Sequence, residues 1–247
     1  MNVVIELFTK MRNFHQTKPY NMKRIILSFS LVFATLSLFA QDCQSFYYLQ
    51  ANKTIEMTIV NRKGKIDGVM TYNVGDIKKD ASGISSTIHS EMVNEKGKSL
   101  SKSVVNMKCD GGELKMDMTV FIPAAQQEQL GNIDATANAV YLAYPSSLSE
   151  GEKLPDGHIN MDMKQNGGIN SSVTMDITDR KVEGKETVTT TAGSWECYKI
   201  SYKSKIVTKI AGIGIPIKIE GIEWFAPGFG IVKTSTKFGT TEITAIK

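Results

Sequence analysis

From Thr54 onward, apolar and polar residues alternate with a period of two, the pattern of strands that keep one face dry and the other wet. The segment "ELKMDMTV" shows it most clearly. Leu114, Met116, Met118 and Val120 fall on one side, and Glu113, Lys115, Asp117 and Thr119 on the other. The same alternation groups Ile55 with Met57 and Ile59, Met70 with Tyr72 and Val74, and Val105 with Met107 and Cys109. It also groups Ile159 with Met161 and Met163, and Val173 with Met175 and Ile177. Glycine-bearing pairs between such runs, among them Lys63-Gly64, Lys96-Gly97, Asp110-Gly111, Asn166-Gly167, Glu183-Gly184 and Phe238-Gly239, predict tight hairpins and antiparallel pairing. "VNRKGK" at 60–65 returns as "VNEKGK" at 93–98, which reads as one turn chemistry used twice.

Three intervals break the rhythm. Residues 122–140 open with Pro123 and the helix formers Ala124 to Leu130 before Gly131, so one short helix is predicted near 123–131, as a lid or an ordinary connection. In "IPIKIEGIEWF", Ile215, Ile217 and Ile219 share one parity while Ile222 and Trp224 share the other, which predicts a β-bulge at Gly221. In "SWECYKISY", Trp195 and Cys197 oppose Tyr198, Ile200 and Tyr202, so that strand either bulges or is covered on both faces. The fold class expected is all-β: a single, mostly antiparallel sheet curled into a barrel or an open β-roll. Residues 41–247 read as one β domain, since no linker or shift in composition interrupts them.

The N-terminal region changes where such a domain is expected to work. Lys23 and Arg24 precede the apolar segment Ile25 to Phe39, and Ala40 offers a cleavage site, the layout of a secretory signal peptide over 22–40. Residues 1–21 read as an upstream mis-assigned start. The apolar segment is shorter than the roughly 20 residues that span a bilayer, so no transmembrane segment is expected. Gln41 and Asp42 separate Ala40 from Cys43, which does not fit a lipobox. The expectation is an exported protein of the periplasm or outer surface of a Gram-negative bacterium, not a lipoprotein.

The net charge of +4 belongs to the leader, and residues 41–247 carry 24 basic and 24 acidic residues. That balance gives no electrostatic footprint for nucleic acid or an anionic membrane. Three cysteines in an oxidising compartment allow at most one intramolecular bridge. Cys43 sits on a free tail, Cys109 ends a strand at a tight turn and Cys197 lies mid-strand. The reading pairs Cys43 with Cys109 and leaves Cys197 as a small buried apolar side chain.

"GKETVTTTAGSWECYKISYKSK", "IEGIEWFAPGFGIVKTSTKFG" and "QDCQSFYYLQ" resemble the TapB-like family of secreted Gram-negative bacterial proteins, relatives of a widespread domain of unknown function. Thr191 stands where that family usually has proline. The resemblance implies a secreted β-rich fold and brings no catalytic residues. Read directly, the same segments place Trp195, Trp224, Phe225 and Phe229 near two turns, as an aromatic plug at one end of the core or as a ligand platform.

Little in the chain points to catalysis. His89 and His158 lack partners at metal-ligand spacing, no HExxH or CxxC occurs, and "GISST" is not a nucleophile elbow. No enzyme activity, cofactor or metal is expected. Methionine is the unusual component: "MDM" at 116–118 and again at 161–163 aims pairs of thioethers to one side of a strand. Such pairs fill gaps in a core, line an adaptable apolar cavity, or hold Cu(I). "KIAGIGIPIKIEGI" at 209–222 reads as an apolar rim for a lipid or partner, or as a buried strand with a bend. The leading functional expectation is non-enzymatic binding of an apolar or lipid-like ligand. Met116, Met118, Met161, Met163 and Met175 would line its cavity, with Trp195 and Trp224 closing the end. The alternative is a solid-cored structural protein that engages an envelope partner.

Overall fold

The alternating runs become strands of one sheet. The computed structural model describes residues 43–122, 133–134, 140–164, 170–210 and 213–247. Within them lie β1 Thr54–Asn61, β2 Ile66–Asp80, β3 Gly83–Asn94, β4 Ser99–Asp110, β5 Glu113–Asp117, β6 Ile133–Asp134 and β7 Tyr141–Tyr144. The chain continues through β8 Gly157–Lys164, β9 Asn170–Thr190, β10 Gly193–Ile210, β11 Ile213–Ala226, β12 Gly230–Thr236 and β13 Gly239–Ile246. The order is β7-β5-β4-β3-β2-β1-β13-β12-β11-β10-β9-β8, antiparallel along this path, with β6 adding a parallel pairing to β4. Pairing β1 with β13 joins the two halves of the chain and curls the sheet into a near-closed barrel. The helix predicted near 123–131 lies outside the described residues, as does the turn predicted at Asn166-Gly167.

Successive turns of an antiparallel meander fall at opposite ends, so the barrel has two distinct mouths. One is sealed by the segment 43–49. Phe46, Tyr48 and Leu49 are buried there, and Ser86 on β3 donates its hydroxyl to the Tyr48 carbonyl at 2.6 Å. A disulfide joins Cys43 to Cys109 at the end of β4, while Cys197 is a buried free thiol. Tyr47 stacks on Phe229 at 5.5 Å between ring centroids, and Trp195 meets the same ring at 5.2 Å.

The other mouth carries the repeated turn. Asn61 Oδ1 accepts from the backbone amides of Lys63 and Lys65, and Asn94 Oδ1 from those of Lys96 and Lys98. Gly64 and Gly97 supply the positive φ, at 73° and 74°, that each turn needs. Identical hydrogen bonds therefore account for the two copies of the motif.

The inner face follows the alternation, with three departures. First, β5 ends at Asp117, whose carboxylate accepts from the Thr119 amide at 3.0 Å and caps the 3-10 turn Met118–Phe121. Asp117 and Thr119, expected on the wet face, are both buried. Second, β10 pairs with β11 in unbroken register from Tyr198↔Phe225 to Ile210↔Ile213, so the bulge expected at Gly221 does not form between those strands. The parity of Ile217 and Ile219 continues through Gly221 and Glu223 to Phe225. Gly221 gives up its side chain to the Tyr202 ring, since a Cβ there would lie 2.4 Å from Tyr202 Cζ. The apparent phase slip arises because an inward position holds a charge. Third, Glu183-Gly184 is no turn but an irregularity inside β9, where the register shifts opposite Lys199 and Ile200. The hairpin between β9 and β10 turns on Thr191 and Ala192, with Gly193 opening β10. Cys197 and Tyr198 are both buried, so β10 is covered on both faces at that point.

Candidate functional site

The inward side chains do not fill the barrel. A cavity of about 490 Å³ opens between the sheet walls, lined by Met57, Met70, Met107, Met116, Ile177 and Ile217 together with aromatic and hydroxyl side chains. Its wall is contributed by both halves of the sheet, with Tyr48 and Tyr72 towards the sealed end and Thr236, Phe238 and Thr240 towards the open one. Burial pushes the Tyr72 hydroxyl up to about 12 and raises those of Tyr48 and Tyr202 further, so the phenols in the wall stay neutral. Ser204, Thr234 and Thr241 supply uncharged hydroxyls, and Asp67 stands at the mouth. Such a site offers apolar contact, soft sulfur and a few hydrogen bonds.

Of the residues singled out from the sequence, Met116 lines this cavity. Met118 and Met175 are fully buried in the surrounding core without lining it, and Met161 is half-buried on β8. Met163 sits on β8 opposite Ser171, with its side chain outside what is described. Met116 and Met118 do not act as one pair on a strand, because β5 has ended before Met118. Trp195 packs at the sealed end on Phe229. Trp224 faces outward: its indole donates to Glu186, and Lys199 and Lys233 lie 5.9 and 5.8 Å from its ring. Phe225 instead stacks on Tyr144 at 4.8 Å, so the four expected aromatics fall into separate groups. Met57, Met70 and Met107, which do line the cavity, were visible as inward residues of the alternating runs. No single strand tells which inward residues meet a neighbour and which meet space.

A buried polar cluster lies beside the cavity at the seam between the edge strands β7 and β8. Arg180 on β9 pairs with Glu223 on β11 at 3.3 Å, with the two side chains 0% and 2% exposed. Its Nη1 donates to the carbonyls of Ala143 and Pro155, both at 3.1 Å, and Tyr144 donates its hydroxyl to Glu223 at 2.9 Å. The guanidinium also sits over the Tyr144 ring at 4.7 Å. Arg180 thus ties β9, β11 and the edge strand β7 together where ladder hydrogen bonds stop. Among the described residues no group of three or more His, Cys, Asp or Glu side chains is arranged to hold a metal ion, and His158 pairs with Asp176 on the exposed surface.

A near-closed antiparallel β-barrel with an apolar interior defines the class of protein. The chain belongs to the DUF3108-like family, whose profile matches residues 50–238. It is similar in structure to a candidate exported protein with a YmcC-like fold from Bacteroides fragilis, at 21% identity and a TM-score of 0.64, over 82% of this chain and 98% of that one. It is also similar to a candidate lipoprotein from Parabacteroides distasonis, at 21% identity and a TM-score of 0.67, over 84% of this chain and all of that one. No curated protein matches. The second structure corrects the expectation that the chain is not a lipoprotein. The same fold is thus shared with a protein described as a lipoprotein.

Proposed function

We propose that the protein is a non-enzymatic binder of an apolar or lipid-like molecule, held inside the barrel. The observation that carries this reading is the cavity of about 490 Å³ with its predominantly apolar wall. Its volume falls within the roughly 300–1,000 Å³ of sites that enclose small ligands. Water in such a space finds few partners, and each methylene that replaces it contributes roughly 0.8 kcal/mol. Four methionines in the wall adapt their rotamers to the occupant, which suits a ligand class of variable shape.

The solid-cored interaction protein is less well supported, because the interior is not filled. Native mass spectrometry of protein purified from its own cells is the test, together with displacement of an environment-sensitive hydrophobic dye by fatty acids. A retained small molecule, or dye displaced stoichiometrically, supports the proposal. Protein that carries nothing and binds no dye removes it.

A further inference from the structure

The open mouth differs from the sealed end in both charge and polarity. Three described turns lie at it, 61–66, 94–99 and 236–239, beside the paired strand ends Ile210 and Ile213. These carry Arg62, Lys63, Lys65, Lys96, Lys98 and Lys237, all exposed, against Glu95 and the neighbouring Asp67. None of the six is in an ion pair among the described residues. The turns at the sealed end, 80–83, 110–113, 190–193 and 226–230, carry Asp80, Asp110 and Glu113 and no cation. An overall balance of charge therefore conceals a basic mouth, whereas the sealed end mixes these acids with Lys53, Lys79 and Lys247.

Exposed apolar side chains gather at the same mouth. Ile66 is 54% exposed, Phe238 53%, Ile213 74% and Ile215 62%. On β11 the inward face runs from Ile219 through the cavity-lining Ile217 to Ile215 and Ile213. β12 stops pairing with β11 at Thr236↔Gly221, so the end of the β10–β11 hairpin stands beyond that edge. The apolar lining of the cavity continues outward onto this projecting hairpin, beside the basic 236–239 turn. Large apolar groups kept in water beside unpaired cations are costly unless something covers them, and a surface that takes both is apolar below and anionic at its boundary.

We infer that the mouth of the barrel docks onto a bilayer surface bearing anionic lipid headgroups. Lys63, Lys96 and Lys237 meet the headgroups, while Ile213, Ile215 and Phe238 enter the boundary below them. The inference rests on the rim and is independent of whether the cavity takes a ligand.

Co-sedimentation of the full chain with vesicles of phosphatidylethanolamine and phosphatidylglycerol tests it, against vesicles of phosphatidylcholine alone. Binding is expected to the anionic vesicles, weakening as salt is raised. Lys63→Glu with Lys96→Glu, and separately Ile213→Ser with Phe238→Ser, are each expected to reduce partitioning by about tenfold or more. Lys78→Glu with Lys79→Glu makes the same change of charge near the sealed end and is expected to leave binding unchanged. All of these residues are exposed, and unchanged circular dichroism would verify the fold. Any contribution of the apolar segment 25–39 is common to all of these proteins and cancels in the comparison. Ile217→Trp, which fills the cavity, is expected to abolish dye binding but not vesicle binding, so the two proposals fail separately. Rim variants that bind like the unaltered chain, equal loss in the sealed-end variant, or self-association through the mouth in place of vesicle binding would each overturn the inference.

Discussion

The Arg180 guanidinium and the Glu223 carboxylate meet at 3.3 Å with both side chains withdrawn from solvent, joining two strands that are not neighbours in the sheet. Removing either partner strands a charge in the interior. Arg180→Leu and Glu223→Leu should each cost about 3–5 kcal/mol. The double variant should lose far less than the sum, because its cost is lost hydrogen bonds to Tyr144, Ala143 and Pro155 and no longer an orphaned charge. Urea unfolding of the four proteins reads this cycle directly.

The same carboxyl should leave a mark on stability against pH. Burial pushes Glu223 above its ordinary value of 4.5, and Arg180 and Tyr144 pull it back only in part. With its folded pKa raised, the native state holds the proton after the unfolded chain has released it. The group's contribution is therefore full below 4.5 and lost as pH climbs through the raised value. Glu223→Gln cannot titrate at this position, so its unfolding free energy should decline less over that window than that of the unaltered chain. Equal slopes for the two proteins would contradict the account.

Much of the architecture was legible because a period of two is a property of the backbone. Ile55, Met57, Met70, Tyr72, Val105 and Met107 all point inward as the alternation requires. The departure on β11 has a plain cause. Glu223 and Arg180 occupy inward positions, yet a charged residue in a sequence reads as outward until its partner is known, and theirs is 43 residues away. The inward Glu223 made the parity of β11 look broken at Gly221. The cavity was still less legible: Met116 and Met175 follow the same rule, and only the curvature of the curled sheet decides that one meets space while the other meets neighbours.

Cys197 should behave as an inert thiol. Burial pushes it from 9 to about 12, with Glu196 and Glu186 adding to the effect. Thiolate is the reactive form, so alkylation of the native protein should be negligible near neutrality and should still be climbing with pH above 9. Without reductant, denatured protein should expose one thiol, and reduction should bring the count to the three cysteines of the chain. Rapid labelling of the native protein at neutral pH would show the residue to be accessible.

The Cys43–Cys109 bridge closes a separation of 66 residues and fastens the 43–49 plug to β4. Loss of a crosslink over a loop of this size costs about 2–4 kcal/mol, mainly by freeing the unfolded chain. Cys43→Ser should lower the unfolding midpoint accordingly. Tyr47 and Phe229 should also separate more readily, seen as faster hydrogen exchange in the 226–230 turn, with the far mouth unaffected. Uniform acceleration of exchange would assign the bridge a global role.

Whether the cavity uses methionine for its sulfur, its apolar volume or its flexibility can be separated by one set of variants. Met57, Met70, Met107 and Met116 converge from β1, β2, β4 and β5 on the same space. Replacing each with leucine nearly conserves volume and should cost less than about 1.5 kcal/mol per site. Branching at Cγ removes the freedom of the unbranched thioether to follow different shapes. The fourfold variant should therefore still bind the fatty acid that fits it best, while its range across chain lengths narrows, measured by dye displacement over a fatty-acid series. An unchanged range would reduce the methionines to ordinary apolar lining, and complete loss of binding would make the sulfur itself the contact.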